Sequence, residues 1–200
     1  MIDWVSTASS LLRDHPAVTS VEFAGSRSRG THTELSDWDF AVETSDFEAL
    51  ARDLPALVAP LRPLSQQWEP MGHFRVYQVL LRGPTKIEYL FLDQSQDPVP
   101  AREPGPETLD SINTHFWDWI WWITTKASIG RSDLVGEHLT QLHIHLLRPM
   151  GIDAVPVSID AAIAVFMARR NALEEEYGVS VDRGLEDEVR RGIDRVLGER

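Results

Sequence analysis

Hydrophobic and polar positions follow two different rhythms along the chain. In roughly the first half, short apolar runs are cut by turn residues. Residues 18–24 (VTSVEFA) and 38–42 (WDFAV) read as strands. So do HFRVYQVLL and TKIEYLFL, joined at Arg82-Gly83-Pro84 and expected to be antiparallel neighbours. Residues 2–13 predict a short amphipathic helix ended by His15-Pro16. Residues 26–31 predict a brief helix, and Ser45 a cap for a helix through DFEALARDL that Pro55 stops. In the second half the apolar spacing is helical throughout. Phe116, Ile120, Ile123 and Ala127 share one stripe, and Leu134, Val135, His138, Leu139, Leu142 and Leu146 another. Breaks fall at Pro149-Met150-Gly151 and Pro156. A third helix spans 161–177, with Gly178 as its C-cap, and Leu185, Val189, Ile193 and Val196 mark a fourth.

Between the two regimes, residues 93–108 carry Pro98, Pro100, Pro104, Gly105 and Pro106, which neither helix nor central strand tolerates. The expected organisation is therefore α+β: a small mixed-sheet domain over 1–105, then a helical bundle over 106–200. No internal repeat is visible.

Composition narrows the chemistry. The 200 residues contain no cysteine, which excludes disulfides, thiolate metal sites and a cysteine nucleophile. The N-terminus lacks the basic-then-apolar layout of a signal peptide, and FWDWIWWI is too short to span a bilayer. A cytoplasmic protein without a membrane partner is expected. Thirty-one acids stand against 19 Lys and Arg, giving a net charge of −12. No basic stripe marks a nucleic-acid surface. The summed field attracts cations instead.

One stretch demands a chemical reason. In VEFAGSRSRGTHTELSDWDFAV, Asp37 and Asp39 flank Trp38 at the start of an apolar strand. Residues i and i+2 share a strand face, so the two carboxylates stand together. They repel unless a cation lies between them, and paired hard oxygens suit Mg²⁺. Gly25-Ser26 lies where a strand gives way to a helix start, where free N–H groups favour an anion such as phosphate. Arg27 or Arg29 adds positive charge. Glu88 is a further acid inside an apolar strand, on the face it shares with Lys86, Leu90 and Leu92. If that strand neighbours residues 38–42, Glu88 joins the aspartates as a metal ligand or as a proton acceptor.

Gly25-Ser26, Arg29-Gly30, Ser36-Asp37-Trp38-Asp39-Phe40 and Glu88 together resemble the DNA polymerase beta-like nucleotidyltransferase superfamily. With a helical half behind them, they resemble its aminoglycoside adenylyltransferase branch most. Ser28 stands where many members carry Ala. The resemblance covers residues 21–92 and implies transfer of AMP from ATP to a hydroxyl of a small molecule, with release of pyrophosphate. An aminoglycoside is one candidate acceptor, and the acidic balance agrees with a cationic one. It implies a pair of Mg²⁺ ions on Asp37 and Asp39, with Glu88 as third acid, and triphosphate against Gly25, Ser26 and Arg29. It also implies a lysine reaching the phosphates from the helical half, for which Lys126 is the candidate. Arg29 is equally suited to an ion pair with an acid such as Glu34. The alternative is a regulatory or antitoxin-like protein of the same fold that binds nucleotide and acts on a protein partner. The tryptophans of residues 117–122 are assigned to packing, and the seven histidines to structural or surface roles.

Overall fold

Alternation sets the first unit. In WDFAVET, Phe40 and Val42 fall on one face and are buried; in TKIEYLFL, Ile87, Tyr89 and Phe91 do the same. Those residues have to be covered, and two amphipathic helices cover them. The computed structural model describes residues 3–97 and 103–198. It divides into two compact units, Met1–Val99 and Pro100–Arg200. Ile2 of the expected first helix, and Pro98 and Pro100 of the expected connecting segment, lie outside the described residues.

The first unit runs α1 (Trp4–Arg13), β1 (Val18–Phe23), α2 (Gly25–Ser28), β2 (Trp38–Thr44), α3 (Phe47–Val58), β3 (Ser65–Trp68), β4 (Phe74–Leu81) and β5 (Thr85–Ser95). The strands form one mixed sheet in the order β1-β2-β5-β4-β3. β2 pairs with β5 in parallel; the other pairs are antiparallel, including the expected β4–β5 hairpin. Ala8 and Leu12 of α1 and Leu50, Leu54 and Val58 of α3 are buried in one cluster with Phe40, Val79, Ile87 and Tyr89. Tyr89 Oη also donates to the carbonyl of Ala8 at 3.1 Å, tying β5 to α1.

Three local expectations change. Asp46, not Ser45, caps α3, accepting from the Ala49 N–H at 3.0 Å; Ser45 is taken up instead by the carbonyl of Ala17. Pro55 does not stop α3, which runs on to Val58. Burial of Leu50, Leu54 and Val58 along one stripe outweighs the hydrogen bond that proline removes. β5 continues to Ser95, so residues 93–95 are strand rather than connector.

The second unit is helical: α4 (Leu109–Ser128), α5 (Ser132–Leu142), α6 (Ile159–Tyr177) and α7 (Gly184–Leu197). A π-helical turn, His143–Leu147, continues α5. Gly178 ends α6 in the left-handed conformation, with φ 66°. Phe116 and Phe166 stack at 3.7 Å between α4 and α6. Trp117 and Trp121 are buried, whereas Trp119 and Trp122 are half-buried. Beside them Arg170, 1% exposed, donates to Asn113 Oδ1 at 3.0 Å and pairs with Glu186. Among the described residues, no helix is long and apolar enough to cross a membrane.

Candidate active site

Helices α1 and α3 take one face of the sheet, so the opposite face is left for polar side chains. A row of them crosses it. Gln67 is paired with Gln78, Gln78 with Glu88, and Glu88 with Asp39, each as register partners on β3, β4, β5 and β2. Gln67 Nε2 donates to Gln78 Oε1 at 3.2 Å, and Gln78 Nε2 donates to Glu88 Oε1 at 3.0 Å. The Glu88 carboxylate is thus aimed by an amide that is itself buried. Asp39 and Glu88 meet side by side as register partners because β2 and β5 run parallel, and the charge of Glu88 acts on the Asp39 carboxyl.

Asp39 is held from its other side by the first turn of α2. The Ala24 N–H donates to the Asp39 carbonyl at 2.9 Å. Gly25 follows at φ 68°, and a Cβ there would lie 1.6 Å from Asp39 Oδ2. Only glycine allows that approach, on conformational and on steric grounds. Ser26 adjoins it, its carbonyl accepting from Thr31.

Asp37 lies one residue ahead of β2. The cation beside it is Lys86, 5% exposed, whose Nζ is 3.8 Å from Asp37 Oδ2 and 3.2 Å from Glu88 Oε1. Burial first, then the charge of Glu88, pushes the Asp39 carboxyl above its ordinary value; Lys86 and, more weakly, Arg29 pull the other way. Arg29 is exposed at the end of α2. The residue tied toward Glu34 is Arg27, which donates to the carbonyls of Glu34 and Ser36 at 2.8 and 2.9 Å and stacks over Trp38 at 4.2 Å. That clamp shapes the loop between α2 and β2. Lys126 belongs to the second unit, where its ammonium lies over the ring of Trp122 at 4.6 Å.

The structure therefore brings Gly25, Ser26, Asp37, Asp39 and Glu88 together within the first unit. Among the described residues, no three His, Cys, Asp or Glu side chains are grouped as ligands for a metal ion; an ammonium stands among the acids instead. The donor chemistry still fits a hard divalent ion. The oxygens are all carboxylate, one of the acids is pushed toward its neutral form, and a tethered cation already stands in for an ion. Gln67, Gln78 and the countercharge role of Lys86 were not identified from the sequence. The available signal was a lone Gln within VYQVLL and a lone Lys before IEYLFL, polar breaks at strand positions that share a face with Glu88.

No curated protein matches the chain in sequence. A solved aminoglycoside 6-adenyltransferase from Bacillus subtilis is similar at 11% identity, over 94% of this chain and 95% of that one, with a TM-score of 0.35. The polymerase core of TRAMP, an RNA surveillance complex, is similar at 15% identity over 57% of this chain and 34% of that one, with a TM-score of 0.36. The family model described as a nucleotidyltransferase domain matches residues 6–99, which span α1 to β5 and every acid of the site. Residues 6–99 therefore match a nucleotidyltransferase domain of the DNA polymerase beta-like type, and that match supports nucleotidyl transfer as the chemistry of the first unit.

Proposed function

We propose that the chain transfers AMP from ATP to a hydroxyl of a small, cationic acceptor, with an aminoglycoside as the representative class, and releases pyrophosphate. The observation that carries this reading is the Asp39–Glu88 carboxyl pair locked against the Gly25 turn. The Gly25 turn would offer backbone N–H groups to a triphosphate tail, and the Ser26 hydroxyl is assigned to donate to it. A divalent ion such as Mg²⁺, held by Asp37 and Asp39, would neutralise the phosphates and polarise the α-phosphorus. Glu88, oriented by Gln78 and Lys86, accepts the proton of the attacking hydroxyl. The new bond joins the acceptor oxygen to the α-phosphorus; the bond to the β-phosphate oxygen breaks, and pyrophosphate departs. Arg29 is assigned to the phosphates as an electrostatic partner. The net charge of −12 supports a cationic acceptor through long-range attraction.

The test is a pyrophosphate-release screen with ATP and Mg²⁺ over aminoglycosides and other polyhydroxylated amines, with mass spectrometry of the products. An added mass of one AMP, abolished by Asp39→Asn in a protein that stays folded, is expected. Full turnover by Asp39→Asn refutes the site. A different added nucleotide refutes the choice of ATP, and a product formed only on protein refutes the small-molecule acceptor.

A further inference from the structure

Lysine is rare in this chain: of 19 Lys and Arg residues only Lys86 and Lys126 are lysines. Lys86 is almost wholly buried, and its ammonium is placed among Asp37, Glu88 and, by its electrostatic pull, Asp39. Burying an ammonium is costly unless it is matched by opposite charge and hydrogen bonds. Here Asp37 and Glu88 contact one cation and Asp39 lies within its field, so the carboxylates outnumber the ammonium.

We infer that Lys86 is a built-in competitor of the divalent ion: its ammonium holds the carboxylates together while the site lacks an ion, and has to yield part of that contact when one binds. The inference rests on the proposed metal-assisted transfer. It concerns a positioning role, since Lys86 acts through Asp37 and Glu88. Residue type supports it. A lysine ammonium is a compact point charge on a flexible stem, able to withdraw from one carboxylate while keeping another. A guanidinium would clamp a carboxylate through two parallel bonds and resist exchange. The anchoring also fits. Glu88 Oε1 takes a hydrogen bond from Gln78 as well as the contact with Lys86, so that carboxylate keeps its aim when the ammonium moves. Asp39 is fixed independently by the Gly25 turn.

The experiment measures Mn²⁺ binding to the full chain without nucleotide, by the electron paramagnetic resonance signal of free Mn²⁺, in the wild type, Lys86→Met and Lys86→Gln. Removing one unit charge at about 4 Å from the ligands should tighten binding by roughly tenfold or more. Both neutral variants binding tighter than the wild type is the expected result, and Asp39→Asn placed on Lys86→Met should remove the gain. Equal or weaker binding in the Lys86 variants overturns the inference, as does a gain that survives Asp39→Asn. Should Lys86→Met unfold when free of metal, circular dichroism during Mn²⁺ addition reads the same competition. Refolding at ion concentrations that leave the wild type's melting unchanged supports it, and no refolding overturns it. Failure of AMP transfer over every acceptor would refute the proposed function while leaving this outcome standing. Absence of Mn²⁺ binding in all variants would refute the metal reading and the competitor role together.

Discussion

Replacing Gly25 with alanine should be far more damaging than the same change at Gly30, although both glycines have φ 68°. The backbone conformation alone costs an L-residue about 1–2 kcal/mol. Loss of chain entropy in the unfolded state returns about 0.4–1 kcal/mol of it. That is the whole effect at Gly30, where an added Cβ has no atom within 4 Å. At Gly25 the added Cβ would meet Asp39 Oδ2 at 1.6 Å, Cγ at 2.5 Å and Cβ at 2.8 Å. Either Asp39 leaves its place beside Glu88 or the α2 turn shifts. Overpacking of that kind costs about 1–3 kcal/mol more, so Gly25→Ala should lose about 2–4 kcal/mol and Gly30→Ala about 1 kcal/mol or less. Because the chain has two compact units, the readout should belong to the first. Hydrogen exchange of the β2 and β5 amides in increasing urea serves. The Asp39→Ala background adds a second check, because it removes the two nearest atoms and keeps the 2.8 Å contact. There Gly25→Ala should cost at least about 1 kcal/mol less, a coupling of the size seen between touching residues. Equal costs for Gly25→Ala and Gly30→Ala, or equal costs of Gly25→Ala in both backgrounds, would refute the claim that this glycine exists to admit the Asp39 carboxylate.

Asp39→Asn, besides abolishing turnover, should raise the melting temperature at neutral pH. The folded carboxyl titrates above its unfolded value, so the stability it lends is present only in acid and is lost as pH rises through the folded value. The advantage of the asparagine should shrink to nothing as pH falls below the ordinary carboxyl value, and an advantage that grows in acid would contradict the assignment. Arg170→Met should destabilise the helical unit by about 2–3 kcal/mol in urea, because it removes the buried partner of Glu186 and leaves it only the longer contacts with Arg183 and Arg190; Arg170→Met with Glu186→Leu should recover most of that loss. Burial lowers the pKa of His138 from its ordinary value, and its Nδ1 accepts from Trp119 Nε1 at 3.3 Å. The unfolded ring binds a proton more readily than the folded one, so the helical unit should lose stability as pH falls from about 6.5 through the lowered folded value. His138→Phe should flatten that slope in a melt followed by tryptophan fluorescence.

Much of the fold could be read from residue patterns, because the patterns are local. Phe40 and Val42, or Ile87, Tyr89 and Phe91, declare a buried strand face without reference to the rest of the chain. Pro55 was misread because its effect is decided by what Leu54 and Val58 bury, which is tertiary information. β3 went unseen because SQQW has no apolar alternation; it is a strand only because the edge of β4 pairs with it. The site divides in the same way. Gly25, Asp37 and Asp39 are close in sequence and could be found together. Glu88 is remote, and its place beside Asp39 depends on parallel pairing of β2 with β5. The buried face limits that register, since a slip of one residue would turn every side chain over. It does not choose between registers two residues apart, one of which would set Lys86 beside Asp39 in place of Glu88.

That same spacing explains how the unit tolerates its own acids. Lys86 and Glu88 are two apart on one strand, as Asp37 and Asp39 are around the start of another, so the parallel pairing forms a four-cornered patch of alternating obligation. Asp39 faces Glu88 and is disfavoured by it, while Lys86 offsets both Glu88 and Asp37. Without the ammonium the three carboxylates would repel one another above Phe40, Ile87 and Tyr89, and the first unit would be less stable until an ion bound. With it, the first unit can fold before any ion arrives. On the proposed reading, a triphosphate alone would meet an anionic patch and be repelled, and an ion alone would meet a tethered competitor. Bound together, each would relieve the obstacle to the other, so that reading predicts joint loading of ion and nucleotide rather than of either one alone.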